Sequence, residues 1–355
     1  MPAFSYPRFY RLAGLLALSG VVALCITFAI GSRAKARADA QALDGQRVAL
    51  GKQLFNDPLL SADGTIRCAS CHIPEKDYTD GRNVAIGVGG HGGTRNTPSL
   101  LSIDAAHETS FFWDGRRNAL DQAVLDPLIN PVEMGLRDQA ELLRKVQQGS
   151  GYEHAFAQAF PGPAQAITTE HIATALVDYV QSLKSPESAY DRYALHGDTS
   201  ALSPSAMLGM ALFKGKGRCS ECHMLEGTPA PLTDHAYHRT GVGLDAINQD
   251  LPALTQAVIQ RSLQGADVGN RVATHADESQ LGRFNVTQDP ADIGLFRTPS
   301  LRNVVHTAPY MHDGSVATLD DAIDREVYYR SLEAGHPLQL TVEERQELKA
   351  FLQAL

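Results

Sequence analysis

The chain has 355 residues, 43% of them hydrophobic and 20% charged, with a formal net charge of −9. That composition excludes a disordered or low-complexity chain and suffices for two domains, each with its own core. The negative balance argues against a nucleic-acid partner and suits a basic or patch-charged protein partner.

Residues 1–40 read as an export segment: Arg8 and Arg11 precede an apolar run from Leu12 to Gly31, and "SRAKARADA" after it offers small residues for cleavage. A run of about 20 residues is long for a signal peptide and is also the length of a membrane span. Export to the periplasm is expected, with cleavage and retention as an inner-membrane anchor both open. Cys25 lies inside the run and reads as an apolar residue. Without residues 1–40 the net charge becomes about −13.

Four further cysteines form two C-x-x-C pairs, Cys68 with Cys71 and Cys219 with Cys222, each followed at once by histidine, as "CASCH" and "CSECH". An exported chain with four cysteines invites a disulfide reading, and paired C-x-x-C a zinc reading. Structural zinc, however, sets its two pairs roughly 15–20 residues apart, and these are much farther apart. The pentapeptides are the signal for c-type haem: two thiols add to the haem vinyl groups and the adjacent histidine ligates iron. His72 and His223 are thus the expected proximal ligands of two covalently attached haem c groups.

The surroundings of the pentapeptides repeat. "LGKQLFNDPLLSADGTIRCASCH" (Leu50 to His72) matches "LGMALFKGKGRCSECH" (Leu208 to His223), and the match continues in "RNTPSL" with "RTPSL", "FWDG" with "MHDG", and "ALDQAV" with "TLDDAI". The chain therefore reads as two copies of one haem unit, over 41–200 and 201–355. Each L-G-x-x-L-F has helical apolar spacing. In chain order, further helices are expected over "TEHIATALVDYVQSL", with Ile172, Leu176, Tyr179 and Leu183 on one stripe, from Ser203-Pro204 by the cap-then-proline rule, and over "TVEERQELKAFLQAL", with Thr341 and Glu344 as a capping box. Few alternating runs suggest strands. The predicted fold is mainly α: two cytochrome c-like haem domains related by internal duplication, with long ordered loops.

The far face of each haem decides function, because an iron with two protein ligands mainly transfers electrons, whereas one with an open face can bind peroxide. His91, in "IGVGGHGG", is the nearest downstream candidate for the first iron; its glycines would allow movement, and the plain alternative is an exposed loop histidine. No methionine follows Met311, so a sixth ligand of the second iron from "DREVYYRSLEAGHP" must be Glu326, Tyr328, Tyr329 or His336. A tyrosinate there would lower the potential relative to methionine; tyrosines packed on a helix are the plain alternative. Trp113, the one tryptophan, aligns with His312 and is either core or an electron path between redox centres. Glu133, in "NPVEMG", is either a helix cap or a carboxyl that moves the proton between the two oxygens of peroxide, if burial brings its pKa toward neutrality.

Together, the two pentapeptides, "RNTPSL", "FWDGR", "PVEMG", "GRF" at Gly282, "FRTPSLRNV" and "TAPYMHDG" resemble the bacterial dihaem cytochrome c peroxidase family, including its MauG-type branch, which oxidises amino acids in a partner protein. The resemblance runs from about Leu50 to Leu355. It implies a peroxidatic first haem and an electron-relaying second one, Trp113 between them, Glu133 in the peroxidatic pocket, and one Ca²⁺ taking Asn96 and the backbone carbonyls of Thr307 and Pro309, oxygen donors that suit calcium. The chain departs from the family in three places. Val88 stands where a detachable histidine follows Ile-Gly, with His91 three places later, and with the loop not rearranged the first iron is open at rest. The family's glutamine is displaced, with Ala123 in its place and Gln122 beside it. The MauG-type tyrosine falls on Glu326 without a gap; a two-residue shift that also matches the following arginine places it on Tyr328.

Three functions compete. The first is a haem peroxidase that reduces H₂O₂ with electrons from a small cytochrome c or cupredoxin. The second is MauG-like oxidation of side chains in a protein substrate, favoured by Val88 and the missing methionine. The third is a non-catalytic dihaem electron-transfer protein, which needs both irons six-coordinate. The oligomeric state, a homodimer included, stays open.

Overall fold

The computed structural model describes residues 40–101, 103, 108–162 and 166–355. The export segment, Cys25 included, lies outside the described residues except for residue 40, which is already helical. Among the described residues no helix is long and apolar enough to cross a membrane.

The protein is mainly helical. Helix α1 (40–55), α2 (Leu120–Ile129), α3 (Gln139–Gln148), α4 (Tyr152–Ala159) and α5 (Thr169–Ser182) surround one core. Its apolar centre includes Leu54, Leu128, Leu142, Phe156, Ile172 and Leu176, each at most 1% exposed. Side chains of Asp138 and Thr168 accept from the Glu141 and His171 amides and start α3 and α5. The stripe read from the sequence buries Ile172, Leu176 and Tyr179, while Leu183 is the C-cap of α5.

A second core follows α6 (Ala189–His196), built from α7 (Pro204–Lys214), α10 (Leu319–Ala334) and α11 (Val342–Leu352). Between α7 and α10 lie α8 (Leu251–Leu263), α9 (Val268–Thr274) and one antiparallel pair, β1 (Tyr237–Arg239) and β2 (Leu295–Arg297), with His238 opposite Phe296. A smaller core of Ile247, Val258, Leu281 and Phe284 holds this segment together. Helix α7 starts at the Ser203 cap with Pro204 at its first position, and α11 carries the Thr341–Glu344 capping box.

The glycine of each L-G-x-x-L-F is where two helices meet. A Cβ on Gly51 would lie 1.9 Å from the Ala175 carbonyl oxygen on α5, and one on Gly209 would lie 1.9 Å from the Glu347 carbonyl oxygen on α11. Both positions therefore need a residue without a side chain so that backbones can touch. The leucine and phenylalanine that follow, Leu54 and Phe55 or Leu212 and Phe213, then turn toward the core beside each pentapeptide.

Two candidate haem cavities

Each pentapeptide opens onto a cavity. Cys68, Cys71 and His72 line one of about 240 Å³, and Cys219, Cys222 and His223 line one of about 250 Å³. No disulfide forms among these four cysteines. Burial pushes the Cys68, Cys71 and Cys219 thiols up to about 12, so with nothing bound they are neutral thiols.

Both histidines are oriented in the same way. His72 Nδ1 pairs with the Tyr78 carbonyl at 2.9 Å and His223 Nδ1 with the Leu232 carbonyl at 3.0 Å. The preceding carbonyls, of Asp77 and Pro231, accept from Ser99 Oγ at 2.6 Å and Ser300 Oγ at 2.8 Å. A carbonyl partner makes Nδ1 the N–H and leaves the Nε2 lone pair for a metal. Burial also disfavours protonation: it lowers the pKa of His72 and brings that of His223 to about 4. Beside the second pentapeptide, His238 Nε2 pairs with Asp234 at 2.7 Å, and Cys222, Asp234 and His238 place ligand atoms within 4.8 Å of one another. Attachment of a haem through Cys222 would remove that thiol as a metal ligand.

The linings fit a haem. Apolar walls such as Phe55, Leu176 and Val180 in the first cavity, and Phe213, Leu319 and Ile323 in the second, suit the macrocycle. Against them stand buried guanidinium groups: Arg95 and Arg116 on the first cavity, Arg330 on the second and Arg297 on both. The Nε of all four is buried without a hydrogen-bond acceptor. Such donors are costly unless an anion meets them, and the acidic substituents of a haem supply one. Burial drops Arg95 to about 10, the sign of a cation short of a counter-charge. These arginines were not singled out from the sequence, although Arg95 and Arg297 open the repeated "RNTPSL" and "RTPSL".

Trp113 lines both cavities. Its Nε1 donates to the Asn96 carbonyl at 2.9 Å and its own carbonyl accepts from Arg297 N at 2.8 Å, so the ring is held at both ends. The pair of Arg297 and Glu108, 3.2 Å apart, also borders both cavities. At the equivalent turn, Phe112 and Met311 take φ of +70° and +71°. His312, next after Met311, is stacked on Phe296 at 3.6 Å with Nε2 2.6 Å from Gln280 Oε1.

His91 is exposed and is not among the residues lining either cavity. The glycine loop is held back because Val88 N donates to the Glu133 carbonyl at 2.9 Å and Gly87 N to the His91 carbonyl at 2.9 Å; its Gly87 reaches the first cavity instead. Glu133 also lines that cavity, accepting from Asn130 Nδ2 at 2.9 Å, and burial raises its pKa. Ala123 borders it too, whereas Gln122 is exposed.

In the second cavity, the face of α10 that points inward is Leu319, Ala322, Ile323, Glu326, Val327 and Arg330. This is a helical stripe, and two residues further round from Glu326 is about 200° of rotation. Tyr328 is accordingly 59% exposed, Tyr329 packs on Gly241, and His336 is exposed. Of the four candidates, helical phase puts Glu326 on the cavity, and none of Tyr328, Tyr329 and His336 lines it. The side chain of Glu326 has Arg330 Nε at 3.8 Å, and burial raises its pKa. Asn96, Thr307 and Pro309 all border this cavity, and Asn96 Nδ2 donates to the Arg82 carbonyl at 2.9 Å.

The profile of the di-haem cytochrome c peroxidase family matches residues 45–200. Methylamine utilization protein MauG of Methylorubrum extorquens is 33% identical over 89% of this chain and 80% of its own length. The chain belongs to the di-haem cytochrome c peroxidase family. It is also 32% identical, over 88% of its length, to cytochrome c peroxidase Ccp of Escherichia coli, of which it spans 58%. Among solved structures of this kind, a MauG-like protein associated with microbial copper homeostasis has a TM-score of 0.69 at 31% identity, covering 87% of this chain and 89% of that one. The diheme peroxidase BthA from Burkholderia thailandensis has 0.67 at 25% identity, covering 87% and 85%. The chain is a haem oxidoreductase of a family whose relatives carry both peroxidase and MauG names.

Proposed function

We propose that this protein is a periplasmic peroxidase that reduces H₂O₂ at the first cavity with electrons relayed through the second from a small cytochrome c or cupredoxin. The observation that carries the reading is Glu133, a half-buried carboxyl lining the first cavity, where His72 is the one histidine among the described lining residues. Cys68, Cys71 and His72 would hold a haem in the first cavity, and that group would supply the site that takes up the oxidising equivalents of peroxide. Glu133 then accepts the proton from the inner oxygen of H₂O₂ and delivers it to the outer one, which leaves as water. Asn130 holds Oε1 for that transfer, and Trp113 carries electrons between the cavities it borders. Glu326, on the inward face of α10, would face a haem held in the second cavity, and Asn96, Thr307 and Pro309, which border the same cavity, would offer oxygen donors to a calcium ion.

Steady-state turnover of H₂O₂ with reduced cytochrome c tests the reading; a diferric and half-reduced holoprotein that leaves peroxide untouched overturns it. MauG-like oxidation of a partner protein is the second reading, and it is favoured by Glu326 standing on the inward face of α10, since a carboxylate lowers the relay potential relative to methionine. A purely electron-transferring protein would need a second ligand on both irons, and His91 lies away from the first.

A further inference from the structure

The outer side of α10, behind the wall of the second cavity, carries two adjacent tyrosines. Tyr328 is 59% exposed, and its ring meets that of Tyr329 edge-on, centroids 5.1 Å apart at 78°. Tyr329 in turn packs against the backbone at Gly241, where a Cβ would come within 2.1–2.3 Å of its ring and hydroxyl atoms. Residues on both sides of that contact, Thr240 and Arg330, line the second cavity, and Arg330 also donates to the Arg239 carbonyl at 3.1 Å. The aromatic pair therefore spans the distance from the cavity wall to solvent. Gly241, at φ +66°, uses a conformation and a space open to glycine alone.

Tyr310, which borders the same cavity, is only partly exposed, whereas Tyr328 is 59% exposed. Electron tunnelling falls steeply with distance, so an oxidisable ring packed behind the wall and a second at the surface divide one long step into short ones. A phenol gives up an electron readily only as its proton leaves, and a surface position lets water take that proton.

We propose that the Tyr329–Tyr328 pair is the port through which the second haem exchanges electrons with molecules at the protein surface. The inference rests on the peroxide chemistry proposed above as its oxidant. Reduction of H₂O₂ to two waters consumes two electrons and two protons. Each electron drawn inward through the pair leaves Tyr328 as a neutral phenoxyl, its proton passing to water; a partner then returns one electron and water one proton. With no partner, phenoxyls on two molecules couple, a ring carbon–carbon bond forms, and both rings recover aromaticity by losing one proton each to their own oxygens.

The test uses the diferric holoprotein, treated with H₂O₂ in the absence of any donor and followed by haem absorption, radical electron paramagnetic resonance, dityrosine fluorescence and peptide mass spectrometry. The expected result is a tyrosyl signal and a covalent dimer linked at Tyr328, both lost in Tyr328→Phe, slowed in Tyr329→Phe, and the radical restored on the indole in Tyr328→Trp. Haem bands that respond to peroxide while oxidation lands elsewhere, or while Tyr328→Phe behaves as the parent, overturn the port and leave the peroxidase reading standing. Haem bands that never respond remove the oxidant, and both readings fall together.

Discussion

Glu133→Gln isolates the proton transfer from everything else Glu133 does. Glutamine has the same shape and keeps an oxygen to accept from Asn130 Nδ2, and the backbone carbonyl that receives Val88 N is untouched. The cavity and loop should therefore survive. What disappears is a group that can take and return a proton, and positioned general acid–base groups contribute about 10²- to 10⁴-fold. That corresponds to roughly 3–5 kcal/mol on the barrier. The assay is kcat/KM for H₂O₂ with reduced cytochrome c, with haem content and ferric spectra measured alongside. The pH profile adds a second readout. Burial raises the Glu133 pKa, and the carboxylate is the form that accepts a proton, so the parent should lose activity on the acid side at a pH above the ordinary carboxylate range. The variant should lack that limb. Stability moves the other way: a carboxyl whose folded pKa is raised stabilises the fold fully below its unfolded value and loses that contribution as pH rises through the folded one, at about 1.4 kcal/mol per unit. Glu133→Gln should thus melt closer to, or above, the parent at neutral pH and gain less at acid pH. An unchanged kcat/KM with both haems in place would refute the proton-transfer role.

Glu326→Gln should alter the ferric spectrum of one haem and Glu326→Met should raise that haem's midpoint potential, while Tyr328→Phe leaves both at rest; spectra that ignore Glu326 would take it off the iron. His91→Ala should leave peroxide reaction rates and resting spectra as they are, because the side chain is exposed, and a lost or newly high-spin signal would show that the loop reaches the haem. Gly209→Ala drives a methyl group into the Glu347 carbonyl oxygen 1.9 Å away; overpacking of this kind costs about 1–3 kcal/mol or more, read as a lower thermal midpoint, and an unshifted midpoint would mean that α7 and α11 slide apart freely.

The attachment of haem was legible because its chemistry is local. Two thiols and a histidine must lie within five residues, and nothing else in the fold has to be known to see Cys68, Cys71 and His72 or Cys219, Cys222 and His223. Helices that end or start on local signals, such as the Ser203-Pro204 start of α7 and the Thr341–Glu344 box of α11, were legible for the same reason. The repeated L-G-x-x-L-F was visible as a pattern, but the need for its glycine appears only when α5 and α11 arrive against Gly51 and Gly209.

What stands opposite each histidine was decided by the tertiary structure. Glu326 and Tyr328 are two residues apart in sequence and on different sides of α10, and only the packing of that helix on the second core says which side faces in. His91 follows the first pentapeptide closely yet is exposed, since the hydrogen bond from Val88 N to the Glu133 carbonyl draws the loop toward a segment far along the chain. The unsatisfied Nε groups of Arg95, Arg116, Arg297 and Arg330 are likewise invisible in one dimension, because burial without a partner is a property of the assembled walls. Covalent bonds to haem are local to a pentapeptide, and so the sequence by itself determined them; the remaining face of each haem is built from distant segments whose rotation and approach are settled only when the cores close, because burial and contact are summed over the whole fold.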